Sequence, residues 1–321
     1  MKPIIHLGID PATWPEGAVE RVKQLADGYD VLVTTDREEI EQRLDRIEIA
    51  LAAFPHDLIT RAPALQWFQQ QGAGADWLTR HQEARADSFT LTSASGVHAV
   101  PISEHMLGFL LALGRGFPAC ARDQRARVWD ANRHQDLFEL DGKRVLILGV
   151  GAIGERFAVL CRACGMETVG LRRDPSIPAD GIDRMVSPDA LRSELPRADV
   201  VASTLPYTEE THHVLGAEEF EAMKPGVVLI NIGRGGTIDE AALVSALERG
   251  TVRAAGLDVF ETEPLPKDSP LWDMDNVLIT PHYAGLTPRY NERLFDIFID
   301  NLGRYLRGET LRNVVDKSLG Y

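Results

Sequence analysis

Between the apolar run RVLIL and the helix-compatible ERFAVLCRA stands GVGAIG, Gly149 to Gly154. No other stretch narrows the fold so far. A strand that must turn into a helix with glycines at these offsets needs a tight turn at Gly149. It also needs close backbone approach to an anion at Gly151 and close helix–strand packing at Gly154. Ala152 and Ile153 then open a helix whose N–H groups and positive dipole end face a pyrophosphate. The glycines alone recur by chance, and a bare strand-to-helix turn is the alternative. The strand before, the helix after and a second strand ending near Leu171 favour a dinucleotide site.

The surrounding rhythm agrees. From Lys143 onward KRVLILG, ETVGL, DVVASTL, GVVLINI, AAGLDVF and NVLITP are apolar runs that end at glycine, proline or polar residues, most of them separated by helical segments. Such alternation builds a doubly wound sheet. Upstream, IIHLGI, DVLVTT, EIALAAF, LQWFQQ and SFTLTSAS alternate with segments such as AVERVKQLA, which predicts a smaller α/β lobe with parallel strands. ISEHMLGFLLALGRG, with Pro101 near its first turn, reads as a buried helix joining the lobes. A last helix over Arg289 to Leu306 sets Leu294, Phe298, Leu302 and Leu306 on one face and is expected to return to the first lobe. The fold class is therefore α/β: a doubly wound Rossmann-type parallel sheet domain over 99–286, and a second, smaller flavodoxin-like α/β domain formed by 1–98 plus 287–321.

Composition excludes several partners. With 48 acidic against 34 basic residues the formal charge is −14, so the field of the protein repels nucleic acid. No apolar run approaches the roughly 18 to 20 residues of a membrane span, and MKPIIHLGID enters a short strand rather than a signal peptide. A soluble cytoplasmic protein without membrane contact is expected. Cys161 and Cys164 form a CxxC, but on a helix and with no neighbouring Cys or His cluster, so packing and not metal binding is the expectation.

About 20 residues beyond the glycines, where a carboxylate usually binds the ribose hydroxyls, the chain has Leu171, Arg172 and Arg173. A carboxylate there would repel the 2′-phosphate of NADP, whereas a guanidinium binds it through charge-assisted hydrogen bonds. The cofactor expected is thus NADP, with NADPH preferred over NADH. Asp174 as a displaced ribose ligand, and arginines that are merely solvated, are the alternatives.

Three residues follow the ends of successive predicted strands: Arg234 after GVVLINI, Glu263 after AAGLDVF and His282 after NVLITP. Hydride transfer to a ketone builds negative charge on oxygen, which calls for a cation and a proton donor. Arg234 and His282 suit those roles, and a carboxylate at Glu263 would orient the imidazole and favour its protonated form.

NIGRGGTIDE, GLDVFETEPLP and ITPHYAG, following GVGAIG, resemble the signature blocks of the D-2-hydroxyacid dehydrogenase family, and the resemblance runs along nearly the whole chain. It implies that Arg234 binds the substrate carboxylate and carbonyl, that His282 exchanges the proton, and that Glu263, not Glu261, pairs with His282. It points to backbone amides at Ala73 and Gly74, in QGAGAD, for the substrate carboxylate. Further cofactor contacts are implied at Thr204, Leu205, Pro206, Ile232, Asp258, His282 and Gly285. For Asp258 a satisfied polar group at a strand end is the alternative, and for His98 a packed structural histidine. The resemblance also implies a homodimer, with Phe117 to Leu137 as part of the contact. The substrate it suggests is a small 2-keto acid of the glyoxylate or hydroxypyruvate class. Larger apolar 2-keto acids, with Trp67, Trp129, Tyr283 or Trp272 in the pocket wall, are a second reading, and a dinucleotide-sensing binding protein a third.

Overall fold

Apolar runs too short for helices become strands throughout, and because helices cover both faces of the sheets these runs need not alternate with polar residues. The computed structural model describes residues 1–132 and 137–317. The chain divides into two units, 1–97 with 287–321, and 98–286. In the first unit β1 (Ile4–Gly8), α1 (Ala18–Leu25), β2 (Asp30–Val33), α2 (Arg37–Glu41), β3 (Ile47–Ala52), β4 (Trp67–Gln69) and β5 (Thr90–Thr92) follow in order. The strands pair in parallel in the order β2-β1-β3-β4-β5. Chain direction across the sheet reverses between β1 and β3, the place where an open α/β sheet leaves a crevice beyond its strand ends.

The second unit opens with α3 (Ala99–Gly114) and α4 (Phe117–Ala126). Then come β6 (Arg144–Leu148), α5 (Ala152–Ala163), β7 (Glu167–Leu171), β8 (Arg184–Val186), α6 (Leu191–Glu194), β9 (Val200–Ser203), α7 (Ala217–Ala222), β10 (Val227–Asn231), α8 (Glu240–Glu248), β11 (Val252–Leu257) and β12 (Val277–Ile279). Its seven parallel strands run β12-β11-β10-β9-β6-β7-β8, the Rossmann order with the reversal between β6 and β9. Helix α3 buries Met106, Phe109, Leu110 and Leu113. It lies so close to β11 that a Cβ on Gly256 would stand 2.6 Å from the Phe109 ring. Strand β8 has no counterpart among the apolar runs. Its sequence, RMV, is held at the sheet edge by the Arg172 N–H on the Val186 carbonyl (3.0 Å) and by Arg184 on Glu194 (2.5 Å).

The chain ends in α9 (Tyr290–Leu306), which belongs to the first unit. Phe295, Phe298 and Leu302 bury themselves against Ile5, Leu7 and Trp67, while Leu306, in the last turn, stays exposed. Trp67 is core: its ring stacks on Phe298 at 5.2 Å, so it cannot form a pocket wall. The three cysteines are free thiols, and burial pushes the Cys161 thiol upward. Among the described residues no group of His, Cys, Asp and Glu could hold a metal ion. No described helix is long and apolar enough to cross a membrane.

Candidate active site

The glycine turn is built as a cradle. Gly149 has φ +89°, a conformation disfavoured for a residue with a Cβ, and a Cβ on Gly154 would lie 2.5 Å from the Gly149 carbonyl oxygen. A Cβ on Gly151 would meet nothing within 4 Å, so glycine there keeps space open beside the backbone. Helix α5 begins at Ala152, Ile153 follows in its first turn, and Gly151 at its cap offers no side-chain acceptor. Its leading N–H groups therefore remain available to an anion. Thr204 donates its hydroxyl to the Gly149 carbonyl at 2.5 Å, and a Cβ on Gly233 would stand 2.5 Å from the Leu205 carbonyl oxygen. The loops after β6, β9 and β10 thus converge at the strand reversal, with Ile232 buried behind them and Pro206 exposed. Open space, uncapped amides and close-set loops fit a dinucleotide pyrophosphate.

Arg172 and Arg173 follow the end of β7, with Arg172 partly buried and Arg173 exposed. Arg173 reaches Glu210 at 3.3 Å, a surface pair of small energetic weight. Asp174 is occupied: its Oδ1 accepts the Ser176 hydroxyl (2.6 Å) and N–H (3.0 Å). These bonds, and more weakly the Arg172 charge, hold its carboxyl below the ordinary range.

Arg234, Glu263 and His282 are linked by a continuous set of contacts. The Arg234 carbonyl accepts from the Asn231 amide (3.2 Å) and the Thr237 hydroxyl (2.7 Å), and its guanidinium donates to the Gly233 carbonyl (2.8 Å). The next residue, Gly235, runs against Phe260 so closely that a Cβ would sit 1.8 Å from the Phe260 carbonyl carbon. The Phe260 N–H donates to Glu263 Oε1 at 3.0 Å, and Glu263 Oε2 lies 2.7 Å from His282 Nδ1. Glu261 faces elsewhere, 2.5 Å from His213 Nε2. The Glu263–His282 pair is solvent-exposed, where an ion pair adds little to stability, so what it contributes is orientation of the imidazole.

His282 has φ +52° and is held there from behind. Its N–H donates to the Asp258 carbonyl at 2.9 Å. The buried Asp258 carboxylate accepts the Tyr283 and Ala284 N–H groups, each at 3.1 Å, and the Thr280 hydroxyl at 2.6 Å. Because Thr280 gives its only proton to Asp258, its oxygen accepts from His105 Nε2 at 3.0 Å. Burial pushes the His105 imidazole down, with Asp258 opposing. Asp258 thus serves as a fully engaged anchor of the histidine loop. Gly285 is pressed against His98, whose Nδ1 lies 3.0 Å from its carbonyl oxygen, which gives His98 a packing role.

In the first unit Ala73 and Gly74 are exposed, and Gln70 Nε2 ties their loop by donating to the carbonyls of Gly72 (3.0 Å) and Gly74 (2.8 Å). Sequence reasoning passed over His105 and His213. It also passed over Phe54, His56 and Trp77 beyond the ends of β3 and β4. For two of them the signal available was position: Phe54 closes the predicted run EIALAAF and His56 stands two residues beyond it. Of the proposed dimer segment, residues 133–136 lie outside the described residues; Phe117, Val128 and Trp129 within it are exposed.

A Rossmann-ordered sheet whose glycine turn opens onto an uncapped helix defines a dinucleotide-binding protein, here with an imidazole–carboxylate pair and a guanidinium on the neighbouring strand tips. Residues 107–284 match the model of the D-isomer specific 2-hydroxyacid dehydrogenase NAD binding domain, and the chain belongs to that family. It is 31% identical over 307 residues to a D-3-phosphoglycerate dehydrogenase of Methanocaldococcus jannaschii, covering 94% of this chain. It spans only 57% of that relative's length. It is 38% identical over 220 residues to a glyoxylate/hydroxypyruvate reductase B of Escherichia fergusonii, 67% of each chain. The crystal structure of a D-isomer specific 2-hydroxyacid dehydrogenase from Xanthobacter autotrophicus, in complex with NADPH and MES, superposes with a TM-score of 0.80 at 29% identity, over 100% of this chain and 99% of that one.

Proposed function

We propose that the chain reduces a 2-oxo acid to the D-2-hydroxy acid, with NADPH preferred over NADH. The observation that carries this reading is the Glu263–His282 pair at 2.7 Å, joined through Phe260 to the loop of Arg234. Arg234 pairs with the substrate carboxylate and carbonyl oxygen, and Ala73 and Gly74 are proposed backbone donors to that carboxylate. Glu263 holds the imidazole by Nδ1, which leaves Nε2 to deliver a proton to the carbonyl oxygen as charge develops there. NADPH, when bound, supplies the hydride. Gly149, Gly151, Ala152, Ile153, Gly154, Thr204, Leu205, Pro206, Ile232 and Gly285 would line the cofactor, with Arg172 and Arg173 at its 2′-phosphate.

The bound NADPH of the Xanthobacter relative supports the cofactor preference. Replacing Arg172 by Asp should weaken NADPH binding more than NADH binding, because a carboxylate repels the extra phosphate. Fluorescence titration of both cofactors checks this, and equal losses would remove the assignment. For Glu263→Gln the rate should fall by less than loss of the imidazole causes, since the ring keeps its place but loses the carboxylate that orients Nδ1. An unchanged rate would take away Glu263's role.

The decisive assay follows NADPH absorbance against a panel of 2-oxo acids. Cofactor binding without turnover of any of them would favour the dinucleotide sensor. Glyoxylate and hydroxypyruvate are the small substrates suggested by the resemblance and by the name of the Escherichia relative. A larger apolar 2-oxo acid is favoured by one observation, a cavity in the first unit. A cytoplasmic homodimer completes the proposal. The free thiols suit a reducing compartment, and exposed Phe117, Val128 and Trp129 offer an apolar contact edge.

A further inference from the structure

At the carboxyl ends of β2, β3 and β4, beside the strand reversal of the first sheet, lies a cavity of about 510 Å³. This is where an open α/β sheet offers a ligand crevice. Two alanines make the room. Ala52 closes β3 in the left-handed region at φ +64°, a conformation that side chains with a Cβ rarely adopt and that persists where the surroundings enforce it. Gly8 packs so closely that a Cβ there would lie 2.3 Å from the Ala53 carbonyl oxygen.

The wall is aromatic. His56 stacks on Trp77 with ring centres 4.0 Å apart and planes 16° apart. Phe54 and Phe68, both buried, lie behind this wall. The polar groups in the wall are already engaged: the Trp77 indole N–H donates to Gln70 Oε1 at 2.8 Å, and Gln70 Nε2 is spent on the Gly72 and Gly74 carbonyls. Burial, reinforced by the nearby His81 and Arg80 and opposed by Asp57, holds the His56 imidazole below its ordinary range. Among the described residues lining the cavity there is no Lys, Arg, Asp or Glu. Gly72 and Gly74, on the loop proposed to hold the substrate carboxylate, form one edge.

We propose that this cavity is the side-chain subsite for the 2-oxo acid and that it selects an uncharged, ring-bearing side chain, as in an arylpyruvate, over a phosphorylated one and over glyoxylate. The proposal rests on the reductase reading above and names its substrate class. An aryl group exchanges water for aromatic contact, glyoxylate has no side chain to place there, and a phosphate would lose hydration without meeting a cation in the lining.

The test measures kcat/KM of the full chain with NADPH for phenylpyruvate, glyoxylate and phosphohydroxypyruvate. Phenylpyruvate should exceed each of the others by at least about tenfold, the discrimination a shaped apolar pocket supports. Ala53→Phe, which fills the cavity, should lower the phenylpyruvate-to-glyoxylate ratio by about 10- to 100-fold. His56→Arg, at a half-buried position, is a second variant. It places a cation in the lining and should raise phosphohydroxypyruvate relative to phenylpyruvate by about tenfold or more. Preference for glyoxylate or the phosphorylated acid in the unmodified protein, or ratios unchanged in the variants, would overturn the subsite while leaving the reductase intact. NADPH oxidation with none of the three acids would overturn the reductase reading and the subsite with it.

Discussion

Replacement of His282 by alanine is expected to lower the rate of 2-oxo acid reduction by roughly two to four powers of ten, the range for loss of a positioned general acid. NADPH affinity should stay nearly constant, because the glycine cradle and Arg172 lie on other loops. The argument rests on geometry: Glu263 takes Nδ1 at 2.7 Å, and the backbone of 282–284 is fixed by Asp258. Those backbone bonds survive the substitution, so the loop should persist. Alanine meets the same positive φ of +52° that His282 accepts. Single-turnover reduction, cofactor titration and a thermal melt separate the effects. A variant that retains the parental rate would rule out the imidazole as proton donor.

Arg234→Ala should lower kcat/KM by about 100- to 1,000-fold, the scale on which removal of one preorganised donor to a developing oxyanion acts. Both parameters should suffer, since the guanidinium is proposed to bind the carboxylate in the ground state and the carbonyl oxygen as charge accumulates. Lysine should restore only part of the loss, because it keeps the charge without the planar fork. The loop itself should hold, as the Arg234 carbonyl is anchored by Asn231 and Thr237 through backbone atoms common to every residue. Steady-state kinetics of both variants decide this; a kcat/KM within about threefold of the parent would remove Arg234 from the chemistry, since that is well below one donor's contribution.

Much of the fold is written locally. The runs RVLIL, DVVASTL and GVVLINI carry strand identity in their own composition, and GVGAIG carries the turn, because glycine geometry depends on few neighbours. Strand β8 was not legible: Arg184–Val186 has no apolar run of its own and exists because β7 offers it an edge. The stripe on α9 was legible as a period, though its last member, Leu306, lies past the surface the helix covers.

The site divides along the same line. That an arginine, a glutamate and a histidine each follow a strand could be read directly, since strand ends are local features. Which glutamate meets the imidazole was not open to residue patterns alone, because Glu261 and Glu263 stand two positions apart in one loop. Resemblance favoured Glu263, and the fold assigns Glu261 to His213 and Glu263 to His282. Which tryptophan faces a cavity was equally closed to periodicity. Trp67, one of four candidates for a pocket wall, is core under α9, whereas Trp77, ten residues on, stacks with His56 at the cavity. Sequence by itself determined the alternation, the glycine cradle and the supply of charged groups at strand tips, all consequences of near-neighbour sterics and polarity. Only the tertiary structure decided which of those groups touch, because a contact between loops depends on the packing of strands far apart in the chain.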